Sequence, residues 1–572
     1  MTQAPPTLVW EEGVPRSSRF GDIYYSLEDG LAEARAVFLG GCGLPGAWAG
    51  RSHFTVGELG FGTGLNIAAV LQLWRETRPA GGRLHIFSIE AFPPSREDAA
   101  RALAAWPELA EEAAALLAAW PTGRRGFQRI DLPAWNVTLD LAVMEVGPAL
   151  QAWSGQADAW FLDGFSPALN PDMWSPQVMA AVAARSAPGC IAATFTVAGF
   201  VRRGLEAAGF TVAKQPGHGR KKQRLEAILA GQAADPPPVR IAVIGAGIAG
   251  AALARAFQDQ GVTVSVFASS GQVAASGNPA ALVTPALDAG GGGRASLYSQ
   301  AFGRAVALYE ALPNAIIARG AQLDVTVPKD TARFAAVTDQ DLFDPGRLTL
   351  NEGGLRFEDG LVVRPATVLE AWTDSVIDAE VQTLTRDSDA WVLGLEDDRH
   401  ETFDAVVIAA GWGSHGFAPQ LALQPVRGQA SWVLGASLPV ATTGFSGYAI
   451  AMDDGVLFGA THDREATETD VRAEDHDRNL DTLAKGQPGL AAALTGRSME
   501  GRAAIRVATP DRLPMAGQIE PGLFILTGLG SRGFTTGPLL AEHVAALALA
   551  QPSPLPLDLA RLVSPLRNGP AR

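Results

Sequence analysis

IAVIGAGIAG, Ile241 to Gly250, is a short apolar strand that runs into a glycine turn. Gly245, Gly247 and Gly250 stand at the G-x-G-x-x-G spacing, and an apolar helix, AALARAFQDQG, follows. Glycines at these points allow a tight turn and a close backbone approach, and the helix N-terminus then faces the pyrophosphate of a dinucleotide. By itself the motif is weak. An acid roughly 20 residues further on should meet the adenosine ribose. Along VTVSVFASS that place falls on Ala268, with Ser269 and Ser270 after it, and no acid stands there. Either a serine hydroxyl or water takes over, or this half-site is weakened.

Upstream of the turn lies GQAADPPPVR, Gly231 to Arg240. Three consecutive prolines fit neither a helix nor a central strand, and they stiffen a linker. The expected division is therefore residues 1–231, a proline-rich linker at 232–239, and residues 240–572. Before the seam, HFTVGEL, RLHIFSIE, ADAWFLDGF and GCIAATFT read as strands separated by helices such as the Ala- and Leu-rich run Ser95 to Ala119. Strand–helix alternation predicts a parallel sheet with ligands at the carboxyl ends of its strands. After the seam, residues 323–404 hold many short strands and turns, as in a substrate-facing insertion. DAVVIAAGWG, Asp404 to Gly413, then returns to buried-strand character, and Gly290 to Gly293 reads as a flexible loop. The fold class is α/β: a Rossmann-like domain joined to a second Rossmann-type domain with an inserted α+β part.

The first half has its own glycine turn, VGELGFGTGLN, with Gly60, Gly62 and Gly64 directly after a strand that ends at Glu58. The next strand ends at Glu90, placed to accept hydrogen bonds from two ribose hydroxyls. Acid, glycine turn and second acid resemble a Rossmann-like S-adenosylmethionine methyltransferase. That cofactor lacks phosphates, and the loop accordingly carries no Lys or Arg. Further on, AWFLDGFSPALNPDMWSP delivers Asp163 to a strand end before a loop rich in Pro, Asn and aromatics. A carboxylate there can orient an amine and take up its hydrogen bond. An alkyl amine is protonated near neutral pH, with a pKa of about 10, and only its neutral form can attack a methyl sulfonium. The bland alternative is that Asp163 caps the following turn.

FLDGFSPALNPDMW resembles the signature of the bifunctional tRNA 5-methylaminomethyl-2-thiouridine biosynthesis family. So do YYSLEDGLAEARAVFLGG, the GELGFGTGLN turn, and ATFTVAGFVRRGLEAAGF followed by GRKKQ. The resemblance implies Glu58, Gly60, Gly62, Gly64 and Glu90 for S-adenosylmethionine, and Asp163 in the methyl-transfer site. Glu145 stands where Asp is expected in the adenine-side loop. In the second half, ASGNPAALVTP carries Ser276, Gly277 and Asn278, which could reach the second phosphate and the ring of FAD. LQPVRGQ, RAAIRVATPDRLPMAG and LTGLGSRGFTTGPLLAEHVA look like an FAD-dependent amine oxidoreductase of the D-amino-acid and glycine oxidase group. Gly528, Gly530 and Gly533 lead into a helix expected to start near Thr536, whose N-terminus would stabilise a reduced-flavin anion. Arg506 is the candidate for a substrate carboxylate, because a guanidinium grips it with two parallel hydrogen bonds. Its alternative is a structural ion pair. Arg532 is a second candidate of this kind, and His400, His415 and His462 read as surface residues.

The 572 residues suffice for two to four domains, and 47% hydrophobic with 18% charged residues describes a soluble globular chain. No apolar run reaches the roughly 18 residues of a membrane span, and MTQAPPTLVWEEG carries no secretory pattern. Cys42 and Cys190 have no metal-ligand spacing and suit a reducing cytosol, so the expected location is cytoplasmic, with no metal and no membrane partner. The net charge of −15 argues against indiscriminate nucleic-acid binding. Yet Arg202, Arg203, Lys214, Arg220, Lys221, Lys222 and Arg224 face one acid, Glu206, between 202 and 224. This local positive face suits phosphates, and the tRNA expectation rests on Arg202, Arg203, Arg220, Lys221 and Lys222; a solvated helix end is the alternative. The resemblance implies two steps on one wobble uridine. FAD-dependent oxidation releases glyoxylate from a carboxymethylaminomethyl group, and S-adenosylmethionine then methylates the remaining amine. A fused pair of small-molecule enzymes and a tRNA-binding protein with a decayed flavin site remain as rivals. A monomer is expected.

Overall fold

The computed structural model describes residues 8–25, 29–121, 123–219, 222–232, 239–271, 273–325, 327–344, 346–396, 398–438 and 442–567. Packing divides the chain into two compact units, Met1–Pro237 with Pro552–Leu557, and Pro238–Gln551 with Asp558–Arg572.

The first unit is built on an eight-stranded sheet. Its order is Gly126–Leu132, Val137–Val143, Arg83–Ile89, His53–Leu59, Ala157–Leu162, Ser186–Thr194, Gln223–Leu229 and Phe210–Pro216. The five strands from Val137–Val143 to Ser186–Thr194 are parallel, and the outer pairings are antiparallel. Parallel strands covered on both faces lose the apolar–polar alternation, which is why HFTVGEL and ADAWFL are buried almost throughout. Trp48, Trp74, Trp153, Trp160 and Trp174 fill the two faces. The chain order reverses between His53–Leu59 and Ala157–Leu162, so a crevice opens beyond their carboxyl ends. The helical run expected over Ser95–Ala119 is divided. Arg96–Leu103, capped by the Ser95 side chain, stops before Pro107, and Ala110–Ala118 follows a short 3-10 turn. A proline ring cannot continue a helix through its own amide position.

The second unit carries a six-stranded sheet, ordered Ile377–Asp378, Ser265–Ala268, Ile241–Ile244, Ala405–Ile408, Leu523–Thr527 and Met515–Glu520. All neighbours are parallel except the last pair. A larger sheet of ten strands draws on segments from Ala281–Val283 to Glu500–Ala508, on both sides of residues 323–404. Within that range Val381–Asp387, Ala390–Leu395 and His400–Phe403 form a separate three-stranded sheet. The glycine run at 290–293 is not wholly a loop: a 19-residue helix begins at Gly292, where apolar residues of AFGRAVALY face the core.

Candidate active sites

In the first unit, a cavity of about 870 Å³ opens at the reversal in strand order. Gly60, Gly62, Glu90, Glu145 and Asp163 all line it. Gly62 adopts φ +53, and a side chain there would press on the Tyr24 ring, so the loop keeps a bare backbone facing the cavity. Glu90 accepts hydrogen bonds from the Gly62 and Phe92 amides, at 3.0 and 2.9 Å. These two bonds fix the carboxylate across the glycine loop. Burial raises its pKa, and the two amides oppose that shift. Glu145 precedes the helix Val146–Ala152 but does not cap it with its side chain.

Asp163 is held on both oxygens: Oδ1 accepts the Gly164 amide and Oδ2 accepts Asn66 Nδ2, each at 2.8 Å. Asn66 lies in the first turn of the helix Leu65–Thr77 that the glycine turn opens. No motif singled it out; its only signal is that it follows the last glycine of GTGLN. Two expected cofactor contacts lie elsewhere. Gly64 caps that helix in a left-handed conformation and is absent from the lining. Glu58 sits wholly buried beneath the cavity, where Ser88 Oγ donates to Oε2 at 2.5 Å. It is not among the residues that line the cavity. Burial pushes its carboxyl up to about 8, against the Ser88 hydrogen bond. Aromatics from the N-terminal segment complete the wall: Tyr24 meets Phe165 edge-on at 5.1 Å, and Phe20 lies 5.0 Å from the same ring.

The basic segment meets this cavity through His218 and Gly219, which line it. Lys222 follows, exposed, with its carbonyl accepting the Gly217 amide. Arg203 is exposed on the helix Gly199–Ala207, and Arg202 pairs with Glu206 at 2.9 Å. Arg220 and Lys221 lie outside the described residues.

The second unit contains a cavity of about 1400 Å³. Gly245, Gly247, Ser276, Asn278, Arg506, Gly528, Gly530 and Gly533 line it. Gly250 and Gly277 do not. Gly250 serves packing instead: a Cβ there would stand 1.7 Å from the Gly245 carbonyl oxygen. Gly277 lies under the Arg502 guanidinium. Ser276 Oγ accepts the Ile248 amide at 2.9 Å, which ties the ASGN loop to the start of the dinucleotide helix. The later helix begins at Gly533 rather than near Thr536, because the Thr535 and Thr536 amides already close onto the Arg532 carbonyl. Its first turn therefore reaches the cavity.

Arg506 is half-buried, and Nη2 donates to the Thr461 carbonyl at 2.7 Å. Its other N–H groups have no protein acceptor among the described residues. Burial lowers its pKa, while Tyr448 and Asp463 oppose that shift. Tyr448 lines the same cavity, its phenol pushed up by burial and pulled back by the Arg506 charge. His462 also lines it, although its side chain is exposed. Neither has a motif around it: each is a lone residue brought in by the sheet. Arg532 lines the same cavity, and its Nη1 donates to Thr284, at 2.7 Å to the carbonyl and 3.0 Å to the hydroxyl.

Both donor sets fit the cofactors. An anchored acid beside a phosphate-free glycine loop suits an adenosine ribose and a sulfonium. A G-x-G-x-x-G helix start, a second glycine turn and a free guanidinium suit FAD and an acidic amine. Among the described residues no helix is long and apolar enough to cross a membrane, and no three His, Cys, Asp or Glu side chains gather as metal ligands.

Two family models match the chain. One described as an S-adenosyl-L-methionine-dependent methyltransferase matches residues 107–230, and one described as an FAD dependent oxidoreductase matches residues 240–547. The chain is 58% identical over 587 residues to the tRNA 5-methylaminomethyl-2-thiouridine biosynthesis bifunctional protein MnmC of Caulobacter sp. (strain K31), covering 98% of this chain and 97% of the relative. Identity to the protein of the same name from Caulobacter vibrioides is 56%, with 98% and 97% covered. For Maricaulis maris it is 43%, with 95% and 92% covered.

Proposed function

This chain belongs to the family of bifunctional tRNA 5-methylaminomethyl-2-thiouridine biosynthesis proteins, and from that premise we propose how its own residues complete the side chain of a wobble uridine. The chain is a methyltransferase and an FAD-dependent oxidoreductase in one polypeptide. We assign the first activity to residues 1–231 and the second to residues 240–572, and take the protein to act as a cytoplasmic monomer on tRNA.

When bound, FAD accepts a hydride and S-adenosylmethionine offers a methyl group on a sulfonium; the chain positions the substrate for each. In the second unit Arg506 receives the carboxylate of the carboxymethylaminomethyl group. Two parallel N–H donors then fix the C–H bond that must break. Loss of two electrons and two protons from the CH–NH unit leaves a substrate imine. Water adds to it, and glyoxylate departs with the carbon that carried the carboxylate. The uridine keeps an aminomethyl group.

In the first unit Asp163 receives that amine. Its carboxylate, anchored by Asn66 and Gly164, accepts a hydrogen bond from the amine nitrogen and turns the lone pair toward the methyl donor. Glu90 holds the ribose hydroxyls, and Gly60 and Gly62 let the backbone approach. Either cavity admits the base only after it has left the anticodon stack. Arg202, Arg203, Arg220, Lys221 and Lys222 meet the phosphates around it.

The observation that carries the reading is Arg506, a half-buried guanidinium with unspent donors in the wall of a dinucleotide cavity. Nucleoside mass spectrometry tests it on tRNA from a deletion strain complemented with variants. Asp163→Ala is expected to accumulate the aminomethyl nucleoside, and Arg506→Ala the carboxymethylaminomethyl nucleoside. Normal nucleosides in both strains would overturn the assignment. Oxidation of free glycine or sarcosine without tRNA would point to a fused small-molecule enzyme.

A further inference from the structure

The dinucleotide motif lacks its acid: Ala268 closes the strand where a carboxylate should meet the adenosine ribose. The sheet supplies one from next door. Ser265–Ala268 pairs in parallel with the two-residue strand Ile377–Asp378, and Ala268 stands directly opposite Asp378. Neighbouring strands lie about 4.8 Å apart. A carboxylate moved across this pair is displaced by roughly the reach of its own side chain and stays at the same strand end.

Asp378 lines the cavity together with Gly245, Ala268, Ser269 and Ser270. Its Oδ1 accepts the Ser270 amide at 2.8 Å. That bond ties the side chain to the turn that follows Ser265–Ala268, two residues beyond Ala268. Among the described residues Oδ2 has no protein donor, so it can accept from a ligand hydroxyl. Sequence spacing could not show this, because Asp378 lies 110 residues beyond Ala268 and is joined to it only by strand pairing.

We propose that Asp378 accepts the ribose hydroxyls of the adenosine half of FAD, in place of the acid absent at position 268. The proposal rests on the flavin reading of the second unit. Ser269, Ser270 and Glu380 also stand in the lining and compete for the same hydroxyls.

The test is binding of FAD to the flavin-stripped full chain, read by flavin fluorescence, with an FAD analogue carrying 2′,3′-dideoxyadenosine as the second ligand. For Asp378→Ala the dissociation constant of FAD is expected to rise roughly 10- to 100-fold, the scale of a lost hydrogen bond to a charged group. The constant for the analogue should change by less than about threefold, because that ligand never made the bond. Asp378→Asn keeps an acceptor for the Ser270 amide and guards against misfolding; it should lose affinity for FAD in the same selective way. Glu380→Gln and Ser269→Ala should bind FAD like the parent protein. Unchanged FAD binding in Asp378→Ala overturns the proposal. So does an equal loss for both ligands, which would mean that Asp378 only holds the turn. A parent protein that binds no FAD would instead sink the flavin reading itself.

Discussion

Glu58 is a carboxyl group sealed inside the core of the first unit. Its side chain is fully buried, Ser88 Oγ donates to one oxygen, and the Asn66 side chain gives a smaller pull. Asp163 and Glu90 add negative potential, and burial lifts the group from 4.5 to about 8. Glu58 therefore stays protonated near neutral pH, which spares Asp163 a second negative charge beneath it. The consequence for stability has a definite sign. Between pH 4.5 and 8 the unfolded chain ionises at this position while the folded chain keeps its proton. The folded state binds the extra proton, so this contribution is complete below about pH 4.5 and is lost as pH rises toward 8. Glu58→Gln removes the ionisation and keeps the shape. Relative to the parent, it should gain on the order of 2–4 kcal/mol at pH 8, and the gain should vanish near pH 4.5. Thermal melts across that range check it; a variant less stable at pH 8 would mean that Glu58 works as an anion.

At the scale of elements, helices rather than loops hold the flavin cradle. Arg255 on Ile248–Asp259 and Arg304 on Gly292–Glu310 both donate to Glu542 on Gly533–Ala548, at 2.5 and 2.7 Å, and all three side chains are buried. One carboxylate thus ties the helix that starts at the first glycine turn to the helix that starts at Gly533. Glu542→Ala takes the shared anion from two buried guanidinium groups, of which Arg255 keeps Asp259, and should cost about 3 kcal/mol. Melting of the flavin-stripped protein reads the lost stability, and the flavin content of the variant as purified reads the loosened cradle; a melt unchanged from the parent would refute the role. None of this network was legible in the sequence, because its members lie 49 and 238 residues apart and share no motif. The strands HFTVGEL and ADAWFL were legible, since burial on both faces leaves an apolar run. The glycine turns were legible because close backbone approach demands glycine. Asn66, Tyr448 and Asp378 escaped for the opposite reason: each is an ordinary residue whose position is fixed by pairing or packing far along the chain. Glu58 was visible as an acid beside the glycine turn, but its full burial was not, since a strand's last residues face the cavity or the core according to parity, which the motif does not reveal.

For the whole molecule, the two cavities lie in separate compact units, each with its own sheet and its own buried core. A substitution in one cavity should therefore leave the other working. The nucleoside that leaves the oxidative site carries a free primary amine, and on the proposed assignment that amine is what Asp163 receives. A mixture of Asp163→Ala and Arg506→Ala proteins should then carry tRNA to the methylated nucleoside, although neither variant does so alone. The first variant oxidises, its product dissociates, and the second variant methylates it. The time course discriminates further. If each site binds tRNA from solution, the mixture should show a lag in which aminomethyluridine rises and falls, and the lag should shorten as the Arg506→Ala protein is added in excess. Mass spectrometry of the tRNA nucleosides at successive times reads this directly. Failure of the mixture, with both variants folded and loaded with their cofactors, would show that the intermediate never leaves the chain that made it. The second step would then require the same molecule that performed the first.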